Sequence, residues 1–227
     1  MAKVRPGSPI QLGIAILLGY FSIAVAFGVT GRDLGFPLLV LIGLSVFVFA
    51  GASQFLAIQL LAQGVGGVAV IVATLILNAR HVVMSLAVRD RIEGDSVPKP
   101  VLAFGITDEV FASAAIRVGP IRDVDLLTME ILAYSGWVGG TIAGFVVGRF
   151  LPPAIEEAMG IALYAMFVSL IVPGIARFRR YGMVVAAAGA FNYGITSLGL
   201  SRGPALLVAI VLPAIVFALG PRWSEPT

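Results

Sequence analysis

Apolar residues in this chain do not alternate with polar ones at the period of a strand or of a water-facing helix. They come in unbroken runs separated by short polar clusters. The runs at 10–29, 36–61, 66–88, 126–147, 158–175, 183–200 and 204–219 are each close to the about 20 residues that carry a helix across a bilayer. A further stretch, 101–118, is apolar at both ends but holds Asp108 and Glu109 at its centre. The pattern predicts an all-α integral membrane protein, a polytopic bundle of about seven transmembrane helices. It forms one domain, with a first half at 10–90, an intervening segment at 101–118 and a second half at 126–220.

The helix count depends on whether 101–118 crosses. If it does not, the basic residues at 32, 89–122, 177–180 and 222 share one side, which places the N-terminus outside and the C-terminus in the cytoplasm. If it crosses, there are about eight spans with both ends inside, and the charge bias nearly vanishes. Seven spans with a non-crossing segment is the expectation. Lys3 and Arg5 precede the first run, and Ala24-Val25-Ala26 resembles a cleavage site. That run is longer than the about 7–15 apolar residues of a signal peptide, so it is expected to be the first helix.

Gly31-Arg32-Asp33-Leu34-Gly35-Phe36-Pro37 and Gly148-Arg149-Phe150-Leu151-Pro152-Pro153 each separate two apolar runs, and Asn78 and Asn192 follow in comparable places. These pairs suggest two three-helix halves of opposite orientation plus one helix, a common transporter plan. Gly-Arg and Pro are also ordinary helix-end residues, matched by chance. Gly136, Gly140, Gly144 and Gly148 recur every fourth residue, as do Gly182, Ala186, Ala190 and Gly194. Each set lines one helix face and is expected to let another backbone approach closely.

Composition narrows the class further. Hydrophobic residues are 59% of the chain, charged residues 12%, and the mean hydropathy is +1.03. A soluble domain carries about 25% charged residues. The net charge of +3 is spread over the ends of apolar runs, where it orients helices, so no nucleic-acid partner is expected. With no cysteine and one histidine, thiolate centres and multi-histidine metal sites are excluded, and no metal or cofactor is expected.

Polar residues inside apolar runs carry most of the functional information, because each is costly unless paired or wetted. Thr74, Asn78, His81 and Ser85 are spaced four, three and four apart and form one helix stripe. Arg80 points about 200° around the axis from Asn78 and needs another partner, for which Asp108 and Glu109 are the nearest acids. Either a structural ion pair or a place in a transport path follows. A histidine ordinarily titrates near neutral pH, so His81 is a candidate proton carrier. Gly51-Ala52-Ser53-Gln54, in the middle of a long apolar run, suggests a broken helix whose free backbone groups could hold a substrate, or else a tight helix crossing. Thr107 is placed to cap a short helix ending near Ile116, with the two acids in its first turn. The flanking Phe104 and Phe111 argue for partial burial there. No Walker loop and no Gly-x-Ser-x-Gly elbow occurs.

The runs Phe49-Ala50-Gly51-Ala52-Ser53-Gln54-Phe55, Leu77-Asn78-Ala79-Arg80-His81 and Thr107-Asp108-Glu109-Val110-Phe111, with Leu18-Gly19-Tyr20 and Ala26-Phe27-Gly28 before them, resemble the AzlC family. Ala79 and Val110 are mild departures from its pattern, and the second half agrees mainly in length and hydropathy. The resemblance implies a secondary, proton-driven exporter of branched-chain or other small apolar amino acids in the plasma membrane. It also implies that this is the large subunit of a two-component permease whose partner is a small AzlD-type membrane protein. On that reading Ser53, Gln54 and Asn78 contact substrate, Arg80, His81, Asp108 and Glu109 handle charge and protons, and the protein is not an enzyme. The alternatives are a non-transporting scaffold subunit and an intramembrane enzyme, for which Ser53 with His81 would be the sole nucleophile–base pair.

Overall fold

The start of the first helix is built locally. Ser8 accepts from the Gln11 N–H (3.3 Å), its own N–H donates to Gln11 Oε1 (2.9 Å), and Pro9 takes the first helical position, where no N–H is needed. The computed structural model describes residues 8–117, 119–150, 152, 172, 179–199, 208 and 212. Its elements are α1 (Pro9–Asp33), α2 (Leu38–Phe47), α3 (Gly51–Ala62), α4 (Gly67–Arg89), β1 (Ile92–Glu93), α5 (Lys99–Gly105), α6 (Asp108–Ala115), β2 (Ile121–Arg122), α7 (Asp123–Gly148) and α8 (Arg179–Ser197). The expected helices at 158–175 and 204–219 lie outside the described residues, while the run at 183–200 corresponds to α8. Among the described residues, α1, α4 and α7 are long and apolar enough to cross a membrane.

α1 and α7 lie side by side and point the same way. A Cβ built on Gly136 would lie 2.7 Å from the Leu17 carbonyl oxygen, and one on Gly140 would lie 2.5 Å from that of Phe21. Gly144 meets the Val25 backbone and Gly148 meets Val29 and Arg32, so the helices advance together in steps of four. The first glycine stripe is therefore a backbone-to-backbone seam, as its spacing predicts. The second stripe, on α8, is different: Ala186 and Ala190 are exposed, and Gly194 meets nothing within 4 Å among the described residues.

The run at 36–61, expected to be one crossing helix, is instead two half-helices forming a hairpin. α2 descends alongside α1 from Leu41 at Gly31 to Phe49 at Tyr20. α3 then climbs back, bringing Phe55 against Phe27 at a ring distance of 5.2 Å. The chain therefore leaves at the end it entered. Phe49 holds a left-handed φ of +44°, a conformation that costs a non-glycine residue about 1–3 kcal/mol and persists where the surroundings fix it. Here Gln54 Oε1 accepts the Ala50 N–H (3.2 Å) and Gln54 Nε2 donates to Ser45 Oγ (3.1 Å), which lies 2.8 Å from Thr141 Oγ1 on α7. Tyr134 on α7 donates to the Val46 carbonyl (3.1 Å).

The intervening segment is a second hairpin, entering from the opposite end. α4 descends from α3 toward the N-terminal end of α7, where Asp123 Oδ2 accepts the N–H groups of Ser96 (2.7 Å) and Val97 (3.0 Å). α5 rises from that loop, the chain turns at Ile106–Thr107, and α6 returns. β1 and β2 pair in parallel, Ile92 with Ile121 and Glu93 with Arg122, which ties the two feet of the hairpin together. The expected non-crossing of 101–118 matches this geometry.

These hairpins alter the expected arrangement in two ways. Because 36–61 does not cross, α1 and α7 run parallel, whereas three crossings per half would have made them antiparallel. α1 with its hairpin and α4 with its hairpin run in opposite directions. Arg32, beside Gly148, also lies at the opposite end of the bundle from Arg89, Arg91, Lys99, Arg117 and Arg122, rather than sharing their side.

Candidate functional site

The two hairpin tips meet halfway along α1. Phe49, at the first tip, packs on Tyr20 (6.3 Å between ring centroids), Tyr134 (5.0 Å) and Phe104 of α5 (6.1 Å). Tyr20 also stands edge-on to Trp137 (5.6 Å). The half-helices α3 and α6 both begin at this level, with Ala50 and Thr107 as N-caps and no side-chain cap on either. Uncapped N–H groups and the positive end of the helix dipole at α3 make this position attractive to an anion.

The polar residues singled out in the sequence gather around these tips. Ser53 on α3 donates to Asn78 Oδ1 on α4. Arg80 Nη2 lies 3.0 Å from Asp108 Oδ2, the side chains being 27% and 32% exposed. The partner that the angular offset of Arg80 demanded is thus Asp108, while Glu109 accepts a hydrogen bond from the Tyr20 hydroxyl. His81, half-buried next to Arg80, makes no hydrogen bond among the described residues. The rest of its stripe is used structurally: Thr74 bonds back to the Val70 carbonyl (2.9 Å) and Ser85 reaches the Ala103 carbonyl of α5 (3.4 Å).

Burial divides the set. Gln54 is fully buried, with its amide engaged at both ends, so its visible contacts hold the break in place rather than line an open space. Thr107 is buried, Asp108 half-buried, and Glu109 and Phe104 exposed, so the partial burial expected here stops one residue short of Glu109. No group of histidine, cysteine or acidic residues with metal-binding geometry occurs among the described residues.

Four residues central to this site were not singled out by the sequence reading. Ser45, Thr141 and Tyr134 looked like ordinary members of apolar runs, and only their contacts reveal that they fix the first hairpin. Glu130 was legible, because an acid inside an apolar span is a functional candidate by default. It lies 3% exposed on α7 against Gly105, the last residue of α5.

The family model described as AzlC protein matches residues 15–151. The chain belongs to the AzlC family. The match spans both hairpins and the α1–α7 seam, and ends just past the last glycine of the stripe. The inner membrane protein YgaZ of Escherichia coli K12 is 30% identical over 222 residues, covering 93% of this chain and 89% of that protein. An uncharacterized membrane protein of Archaeoglobus fulgidus is 31% identical over 203 residues, covering 88% and 89%. The branched-chain amino acid transport protein AzlC of Bacillus subtilis 168 is 24% identical over 213 residues, covering 91% of this chain and 80% of that one. No solved structure matches. Family membership and these relatives support a role in amino-acid transport for a multi-pass membrane protein.

Proposed function

We propose that the chain is a secondary, proton-driven exporter of branched-chain or other small apolar amino acids, working in the plasma membrane as the large subunit of a permease with a small AzlD-type subunit. The observation that carries this reading is the meeting of two oppositely directed hairpins at mid-depth, each with a broken helix at its tip. Broken helices put unpaired backbone groups within a membrane only where they are buried in protein or line a water-filled cavity, and transporters use such breaks to hold substrates. The relative named for branched-chain amino-acid transport supports the substrate class.

In this reading the N-terminal N–H groups of α3, with Ser53 and Asn78, receive the substrate carboxylate. Gln54 contributes by keeping the break open. Arg80, His81, Asp108 and Glu109 handle charge: separation of Arg80 from Asp108 frees one carboxylate for the substrate ammonium, and His81 lies next to that pair. We read the end of the bundle that carries Arg89, Arg91, Lys99, Arg117 and Arg122, against Arg32 and Arg149 at the other, as the cytoplasmic one, and with it the N-terminal end of α1. Chemistry on a bound intermediate plays no part in this scheme, and an enzymatic role is not proposed.

The test is transport in proteoliposomes, with and without the small subunit, using labelled leucine, isoleucine and valine under an imposed pH gradient. Transport should follow the gradient, and His81→Ala or Asp108→Asn should abolish it while the protein still inserts. Undiminished transport by both variants would remove the roles given to these residues. Transport indifferent to the gradient would remove proton coupling.

A further inference from the structure

Glu130 has no place in the scheme above, yet it is the most isolated acid among the described residues. Its side chain is 3% exposed, and neither Oε1 nor Oε2 has a hydrogen-bond partner. It sits two turns into α7 on the face shared by Asp123, Trp137 and Thr141, which are all buried. Gly105 is what admits it: a Cβ at that position would overlap the Glu130 carboxyl. The carboxyl therefore lies against the last residue of α5, with no donor among the described residues to compensate a negative charge. A buried carboxylate without a partner is costly, whereas the protonated carboxyl carries no charge.

The neighbouring charged and titratable groups are engaged elsewhere. On α7, Asp123 caps the loop before α5, Asp125 lies 3.8 Å from Arg117, and Tyr134 donates to Val46. From α1, Tyr20 is bonded to Glu109 of α6, and Asp108 of α6 is paired with Arg80. Lys99 is at the far end of α5, Arg122 at the foot of α7 in β2, and Arg32 and Asp33 close the opposite end of α1; α2 carries no charge. A neighbouring face of α5 borders a cavity of about 290 Å³ lined by Ser85, Leu86, Leu102, Ala103 and Ile106, with Arg89 and Lys99 also in its wall. The hairpin thus has a carboxyl at one face and space at the next.

We infer that Glu130 is the residue that takes up and releases the coupled proton, and that its protonation state controls whether the α5–α6 hairpin rests against α7. This rests on the transport reading above. The proton comes from water on one side of the membrane, neutralises the carboxylate so that α5 can close on it, and leaves to water on the other side when α5 moves toward the cavity. The Arg80–Asp108 pair then serves the substrate, and Glu130 serves the proton.

Two measurements on the full-length chain test this. Dicyclohexylcarbodiimide reacts with protonated carboxyls in apolar surroundings, so mass spectrometry should find its adduct on Glu130, with labelling that falls as the pH rises. Adducts on Asp108 or Glu109 with none on Glu130 would overturn the inference. In proteoliposomes, Glu130→Gln should lose gradient-driven leucine accumulation, and any leucine exchange that remains should have a flat pH profile. The control Glu93→Gln, on exposed β1, should accumulate leucine like the unmodified protein. Accumulation retained by Glu130→Gln would also overturn the inference, and if the variant fails to insert, carbodiimide labelling of the unmodified protein decides. If that protein moves no amino acid at all, the transport reading fails, while the adduct still reports on Glu130 as a proton site.

Discussion

Replacing Gly140 by alanine tests the α1–α7 seam directly. The new Cβ would lie 2.5 Å from the Phe21 carbonyl oxygen, 2.8 Å from the Ala24 Cβ and 3.0 Å from the Phe21 Cα, whereas real Cβ atoms essentially never come within 3.0 Å of such neighbours. Most of these are backbone atoms and cannot rotate away, so the helices must separate by about 0.5–1 Å. A gap of about that size forfeits a quarter to a half of each van der Waals contact of about 0.1–0.2 kcal/mol. Over about 40 close atom pairs this is a loss of about 1–4 kcal/mol. Against it stands the better helix propensity of alanine, about 1 kcal/mol at most. Gly140→Ala is therefore expected to be about 1–4 kcal/mol less stable than a glycine-to-alanine change without a clash, a net destabilisation of up to about 3 kcal/mol. Gly139→Ala is the internal control, because a Cβ there meets nothing within 4 Å among the described residues. The assay is equilibrium unfolding in mixed detergent–SDS micelles, read by circular dichroism and by the fluorescence of Trp137, which lies on α7 beside the seam. Equal stability of Gly140→Ala and Gly139→Ala would refute the backbone-to-backbone contact.

Three further outcomes follow from the same geometry. Glu93→Cys with Arg122→Cys, in a chain that has no cysteine of its own, should oxidise to a disulfide, because the two are register partners in β1 and β2. A crossing of 101–118 would hold them about 30 Å apart, and a gel-shift assay would then show no link. Gln54→Leu should destabilise the protein by about 1–3 kcal/mol in the same unfolding assay, because it leaves the buried Ala50 N–H without its acceptor. Exchanging the charges of the ion pair, with Arg80→Asp and Asp108→Arg combined, should restore insertion and stability lost in either single variant. Transport should stay impaired, since the positive charge would then sit on α6 instead of α4; full recovery would mark the pair as purely structural.

The apolar runs alone determine that this is a helical membrane protein, because about 20 uninterrupted apolar residues have no other stable solution in a bilayer. Spacing alone also determines the glycine seam on α7 and the need of Arg80 for an acidic partner, since both are properties of a single helix face. The sequence further suggests the break at Gly51, where small and polar residues interrupt the run. It does not show that the chain turns back there. The hydropathy of 36–61 is the same whether the run crosses or folds into a hairpin, and the difference rests on Gln54 reaching Ser45, Thr141 bracing Ser45, and Phe55 returning to Phe27. These contacts join residues from 9 to 96 positions apart, beyond the reach of any local pattern. Tertiary structure likewise decides which acid pairs with Arg80, which end of the bundle receives Arg32, and that Glu130 has no partner among the described residues. Each depends on where separate elements meet, and that is set by packing across the whole bundle rather than by the sequence of any one helix.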